Sequence, residues 1–181
     1  MTDTSEDLPA LARRLTRAAD RAVLATALAG DGRPYASLVL MACDPGGSPL
    51  LLLSNLAEHT RNLTADPRVS LLVDGTAGHE DPLTGPRLTL LGRVAATDAP
   101  GCRARFLARH PESAAYADFG DFRFYRVSIE RGHLVAGFGR IRWLEPPALT
   151  IAAPPRRRSI PSRSMPVMRQ SDPVRPSRRC A

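Results

Sequence analysis

Short apolar segments separated by turn residues run through the first 144 residues of this chain. Three helical segments interrupt these strands without alternating with them, near residues 8–20, 56–65 and 99–109. A parallel sheet would need a helical crossover between each pair of strands, which this order does not supply. The sequence therefore predicts a mainly β fold, a β-barrel with flanking helices. Six or seven segments have the length and composition of strands, at residues 21–28, 34–43, 50–54, 68–74, 86–97, 121–130 and 132–137.

Two local predictions concern the second half of this region. Asp98 is expected to cap the third helix, which His110 and Pro111 would end. Residues 121–130 and 132–137 are expected to pair as a hairpin across a tight turn. Aromatic residues cluster here in a chain otherwise poor in them, and we expect them to serve as core and dimer contacts: Tyr116, Phe119, Phe122, Phe124 and Tyr125.

The composition changes after Leu144. Residues 145–181 are rich in Pro, Arg and Ser and show no periodicity, which is typical of a disordered tail. Two origins remain open for it, a functional basic tail or the product of a shifted reading frame. The predicted organisation is an N-terminal helix over residues 1–20 that packs on the barrel, a barrel over residues 21–144 and a tail over residues 145–181.

The net charge of +7 comes from the C-terminal segment. Residues 151–181 hold eight arginines and one aspartate, so the preceding 150 residues are electrically balanced. Binding to nucleic acid is therefore expected only through the tail. The three cysteines are far apart and odd in number, and no run is long and apolar enough to span a membrane. These features predict a cytoplasmic protein without disulfides.

The chain lacks residues and motifs that several classes of enzyme and binding site require. The chain contains no lysine, which excludes Schiff-base and P-loop lysines, so any phosphate must be held by arginines, hydroxyls and backbone N–H groups. No G-x-S-x-G, G-x-G-x-x-G or H-E-x-x-H motif is present. His79, Glu80 and Asp81 resemble a metal cluster in composition only, since they lie in a loop without strand or helix register. We predict no metal site.

Residues 50–63, LLLLSNLAEHTRNL, contain the clearest candidate site. Four leucines predict a buried strand that ends at a hydroxyl residue, and a short helix follows. Free N–H groups and the positive end of a helix dipole favour a bound anion there. The alternative is ordinary helix capping with a solvated surface pair. The candidate anion ligands are Ser54, His59, Thr60 and Arg61.

The order of segments resembles a known family. RAVLAT, DGRPYASLVLMACDPGGSPLLLLSNLAEHTRNLTADPRVSLLV and DPLTGPRLTLLGRV follow one another as in the pyridoxamine 5′-phosphate oxidase-like FMN-binding split-barrel family, and the haem-utilisation-related branch is the most similar. The resemblance implies a six-stranded, Greek-key split barrel that works as a homodimer. It also implies that FMN lies in a groove between the two subunits.

The same resemblance assigns roles to residues. The strand over residues 34–43 would run beside the flavin ring and ribityl chain, and the segment after the third strand would hold the phosphate. At the start of the fifth strand, Arg87 would reach the phosphate or the flavin ring. The implied cofactor-binding residues are Tyr35, Ser37, Leu38, Val39, Ser54, His59, Thr60, Arg61 and Arg87.

The function implied is that of an FMN-binding protein, a candidate flavin-dependent oxidoreductase of unknown substrate. Vitamin B6 oxidase activity itself is not expected, because the C-terminal substrate motif has no match. Glu58 and His59 stand roughly where the oxidases carry an Arg-Lys pair, a change that is typical of the haem-utilisation branch, whose members do not all hold flavin. The alternative reading is therefore a haem-binding protein, or a non-catalytic binding partner on the same fold.

Overall fold

The computed structural model describes residues 7–151. Short 3-10 turns lie at Pro82–Thr84 and Pro111–Ala115. The helices and strands are α1 (Leu8–Ala18), β1 (Arg21–Ala27), β2 (Pro34–Leu40), β3 (Ala42–Cys43), β4 (Pro49–Ser54), α2 (Glu58–Ala65), β5 (Arg68–Asp74), β6 (Arg87–Ala96), α3 (Cys102–Arg109), β7 (Phe122–Val135), β8 (Ile141–Leu144) and α4 (Pro146–Leu149).

The strands form a single sheet in which every pairing is antiparallel. Its order is β2-β1-β5-β6-β7-β4-β3, with β8 added to β7. Only Met41 separates β2 from β3, so the sheet begins and ends on one chain segment and curls back towards itself. The prediction of a mainly β fold with flanking helices is confirmed. The sheet has eight strands, and Met41 divides the predicted strand over residues 34–43 in two.

Two apolar cores lie on opposite faces of β4. Leu51 and Leu53 face the main core, which α1 covers with Leu11 and Ala12. Leu50 and Leu52 face a second core, which α3 covers with Phe106. A strand buried on both faces needs apolar residues at every position rather than at alternate ones. This double burial explains the run of four leucines.

The third helix begins later than predicted. Gly101, at φ 88°, occupies the N-cap position and Cys102 is the first helical residue. Glycine adopts this left-handed backbone conformation without the steric cost that other residues carry. Asp98 lies upstream of the helix, so the prediction that it caps the helix was wrong.

The predicted hairpin after Glu130 was also wrong. The chain continues as one strand from Phe122 to Val135, and Glu130 is skipped in the register with β6. A Cβ on Gly92, which faces this bulge, would lie 2.2 Å from the Ser128 carbonyl oxygen, so only glycine fits there. The strand that returns along β7 is β8, in which Trp143 pairs with His133.

Ordered structure continues beyond Leu144, where the sequence predicts a tail. Leu149 of α4 is 2% exposed and packs in the main core, and the Ile151 N–H donates to the Gly46 carbonyl at 2.8 Å. The folded part of the chain therefore includes residues 145–151, which the sequence assigns to the tail. The rest of the predicted tail, residues 152–181, lies outside the described residues, and its disorder and origin stay predictions. Within the described part of the chain, no helix combines the length and apolar character needed to cross a membrane.

Candidate functional site

A cavity of about 300 Å³ lies where β2, β4 and α2 meet. Residues 38–40 of β2 and 52–54 of β4 form its sides, and Ala57 and His59 close it from the helix. Most of these side chains are apolar. The structure thus brings together four residues that the resemblance assigns to cofactor binding: Leu38, Val39, Ser54 and His59.

His59 is the one histidine in this cavity. Its Nδ1 lies 3.1 Å from the Ser37 hydroxyl, which ties the predicted residue Ser37 to the site. No described residue contacts Nε2 by a hydrogen bond. Burial lowers the pKa of His59 below its ordinary value of 6.5, so the imidazole is neutral at pH 7. A neutral imidazole does not attract a phosphate by charge, but it is the form that binds metal ions.

Ser54 is already occupied by protein groups. Its hydroxyl donates to Oδ2 of Asp121 at 2.5 Å and accepts from the Leu56 N–H at 3.1 Å. The backbone adds a bond from the Asn55 N–H to the Asp121 carbonyl at 2.7 Å. A carboxylate therefore stands where the sequence predicts a phosphate, and it would repel one.

The other two candidate anion ligands, Thr60 and Arg61, point to different sides of α2. Thr60 is buried on the inner face of α2, and its hydroxyl has no hydrogen-bond partner among the described residues. Arg61 is exposed and pairs with Glu58 one turn earlier, at 3.3 Å. The four candidate residues therefore do not converge on one point within a chain.

Arg87 and Tyr35 lie away from the cavity. Arg87 donates to the carbonyls of Leu83 and Gly85 and pairs in the sheet with Val135, at the end of β7 opposite to Phe122. At about 3.3 Å per residue, this places Arg87 roughly 40 Å along the strand from Ser54. Tyr35 is half-buried on β2 opposite Thr26. Neither residue lines the cavity that contains His59.

Two cavity residues were assigned by the sequence to core and dimer contacts. Tyr116 and Phe122 line the cavity, and their rings lie 4.9 Å apart. The clustering of aromatic residues in the sequence indicated that Tyr116 and Phe122 are buried, but it did not indicate that they line a ligand cavity. Among residues 7–151, including the loop with His79, Glu80 and Asp81, no three or more His, Cys, Asp or Glu side chains are grouped so that they could hold a metal ion.

Comparisons with known proteins add the family. The chain is 42% identical over 110 residues to the chloroplastic non-canonical heme oxygenase HOZ of Arabidopsis thaliana, a match that covers 59% of this chain and 33% of that protein. It thus spans about a third of the length of this relative. A crystal structure from Clostridium acetobutylicum, of a general stress protein 26-related protein in the pyridoxinephosphate oxidase family, shares the fold at a TM-score of 0.58 and 11% identity, with 76% and 94% of the two chains covered.

A second solved structure is more similar in sequence. The heme binding protein of Mycobacterium smegmatis matches with a TM-score of 0.74 and 31% identity, over 78% of this chain and 59% of that chain. These likenesses confirm the split-barrel part of the resemblance but not its FMN-binding branch. The family described as CREG, beta-barrel, matches residues 3–149. The chain therefore belongs to the CREG β-barrel family, on the split-barrel fold.

Proposed function

We propose that this protein binds haem in the cavity between β2, β4 and α2, with His59 as the ligand to the iron. The observation that carries the proposal is the state of this side chain: a neutral imidazole that lines an apolar cavity and keeps Nε2 unbonded. The names of the Arabidopsis and Mycobacterium relatives also support haem as the bound molecule.

The residues present fit a haem. Leu38, Leu52 and Phe122 offer the apolar surface that a porphyrin needs, and the Ser37 hydroxyl fixes the ring of His59 through Nδ1. Histidine ligands in metalloproteins usually have such a partner on the second nitrogen. When bound, haem would supply a redox-active iron, and the polypeptide would supply its orientation and exclude water.

FMN fits the same cavity less well. The phosphate would meet the Asp121 carboxylate beside Ser54 and the Glu58 carboxylate beside Arg61. The evidence for the FMN-dependent oxidoreductase that the resemblance implies is the split-barrel fold. The unbonded Nε2 of His59 and the haem-related names of the relatives favour haem. The cytoplasm remains the proposed location, on the strength of the widely spaced cysteines.

A second copy of the chain is proposed to complete the site. The cavity is at the lower end of the range of about 300–1,000 Å³ for ligand pockets, so a single chain would leave much of a haem exposed. Leu38 lines the cavity and is 69% exposed. Together with Val23 and Leu72, which are also exposed, it forms an apolar stripe on the surface of the sheet. Val23 lies between the other two in the sheet register. Such a continuous exposed stripe is typical of an interface.

The test is an absorbance titration of the full chain with haem and, separately, with FMN. We expect a saturable Soret band with haem that His59→Ala abolishes and that His79→Ala, in an exposed loop, retains. FMN should leave the spectrum of the free flavin unchanged. An unchanged Soret titration in His59→Ala would overturn the assignment of the ligand. A yellow protein that retains FMN through gel filtration would overturn the choice of haem.

A further inference from the structure

A second cavity, of about 320 Å³, lies between α1, β3 and α3, and it shares no lining residue with the first. Three arginines from two helices reach it. Arg105 and Arg109 are one turn apart on α3 and therefore project from the same face, while Arg17 comes from the end of α1. The lining consists of Arg17, Ala42, Cys43, Arg105, Ala108 and Arg109.

Neutral backbone groups hold all three guanidinium groups in place. Arg17 Nη2 donates to the Pro45 carbonyl at 3.0 Å, and Arg105 Nε donates to the Cys43 carbonyl at 2.9 Å. Arg109 Nη2 donates to the Ala18 carbonyl. A guanidinium group has five N–H donors, so each retains several for a further acceptor. The carbonyls orient the groups without neutralising their charge.

Within residues 7–151, no carboxylate forms an ion pair with these three arginines. Arg103, on the same helix, pairs with Asp118 at 2.7 Å. Asp44, adjacent to Cys43, is occupied by Arg126 at 2.8 Å and by the Ser48 N–H at 2.9 Å. The three guanidinium groups therefore have no ion-paired carboxylate among the described residues.

The Cys43 thiol shows that the three charges act at one place. Burial and, to a smaller extent, the Asp44 carboxylate raise its pKa to about 11, although Arg17, Arg105 and Arg109 all lower it. The thiol donates to the Thr16 carbonyl at 3.3 Å and stays protonated at pH 7. It is thus a neutral part of the cavity wall, where three arginines face one carboxylate, Asp44, that is itself paired with Arg126.

We infer that this cavity binds a small molecule that carries a phosphate monoester. A phosphate dianion has three oxygens that can each accept from a guanidinium group, whereas a carboxylate has two. The cavity is larger than a phosphate group alone, and Ala42, Cys43 and Ala108 offer an apolar wall for the organic part of the molecule. This binding site is independent of the haem proposal.

The test is isothermal titration calorimetry of the full chain with phenyl phosphate, inorganic phosphate and benzoate. We expect saturable binding of phenyl phosphate, weaker binding of inorganic phosphate and the weakest binding of benzoate. Arg105→Gln and Arg109→Gln should each weaken phenyl phosphate binding by about tenfold, as expected for the loss of a charge-assisted contact. Arg103→Gln is the matched control on the same helix and should bind like the natural protein.

Circular dichroism of each variant would confirm its fold, and the haem titration of Arg105→Gln should match that of the natural chain. Absence of saturable binding of phenyl phosphate would overturn the inference. Equal weakening in Arg103→Gln and Arg105→Gln would also overturn it, because it would show diffuse attraction to a positive surface. Benzoate binding as tight as that of phenyl phosphate would overturn the choice of a phosphate ester.

Discussion

The hydroxyl of Ser37 lies 3.1 Å from Nδ1 of His59 and joins the middle of β2 to the first turn of α2. The two residues are 22 positions apart in the chain. The contact fixes the imidazole ring in the wall of the cavity. The haem proposal depends on this orientation, which can be perturbed without touching the iron ligand.

Ser37→Ala is expected to weaken haem affinity by about tenfold, because loss of a partner to a metal-binding histidine typically costs 10- to 100-fold in affinity. The Soret maximum should stay in place, since His59 remains. Ser37→Thr keeps the hydroxyl and should restore most of the affinity. Haem titrations of the three proteins check this. Equal affinities in Ser37→Ala and the natural chain would contradict it.

The stability of the protein should fall as the pH decreases below about 6.5. Burial lowers the pKa of His59 in the folded state, so over this range the unfolded chain takes up a proton that the folded chain does not. Above pH 6.5, the ordinary pKa, His59 is neutral in both the folded and the unfolded chain, so its contribution to the free energy of unfolding is constant. Urea unfolding of the natural chain and of His59→Gln, between about pH 5 and pH 8, measures the difference. The difference should change with pH only on the acid side, and parallel curves would refute the assignment.

Ser54→Ala should destabilise the fold by about 2 kcal/mol. The substitution removes a hydrogen bond to the Asp121 carboxylate and leaves the Leu56 N–H without its acceptor. Asp121→Asn keeps an acceptor for the hydroxyl and should cost less, about 1 kcal/mol. Urea unfolding at neutral pH gives both values. A loss for Ser54→Ala within about 0.5 kcal/mol of zero, as at an ordinary surface position, would show that the contact is dispensable.

Val23→Glu should convert the proposed dimer into a monomer. Val23 lies at the centre of the apolar stripe but does not line the cavity, and it is 38% exposed, so a charge can be placed there without disrupting the core. A buried, unpaired carboxylate at an interface would oppose association. Light scattering after gel filtration measures the mass.

Leu83→Glu, 62% exposed in the loop before β6, is the control and should stay dimeric. The monomeric Val23→Glu variant should also bind haem more weakly, because a second copy is proposed to cover the ligand. A natural chain that is monomeric at all concentrations would remove this interface from the proposal.

Patterns within short segments predicted much of the fold. β5 lies at residues 68–74, the bounds that its length and composition predict, and four consecutive leucines predicted a buried strand. The failures came from long-range effects. Glu130 could be read as a strand end because only pairing with β6 reveals it as a bulge.

Less of the candidate site could be predicted from the sequence. Ser54 and Asp121 are 67 positions apart, so no local pattern could show that the predicted phosphate ligand is bonded to a carboxylate. Burial of His59, which lowers its pKa, likewise depends on packing against β2. Leu38, Val39, Ser54 and His59, which the resemblance assigns to cofactor binding, line one cavity, because the fold brings β2, β4 and α2 together. Their role in binding stays a prediction.

The way α4 is anchored has a further electrostatic consequence. The Ile151 N–H is bonded to Gly46, and a Cβ on the next residue, Gly47, would lie 3.4 Å from Arg17 Nη2. The sequence that follows therefore starts close to the arginine cavity, and it carries eight arginines and one aspartate. These residues account for the whole excess of positive charge in a chain that is otherwise balanced. Anions in solution would be attracted to the protein at a rate that falls as salt is added.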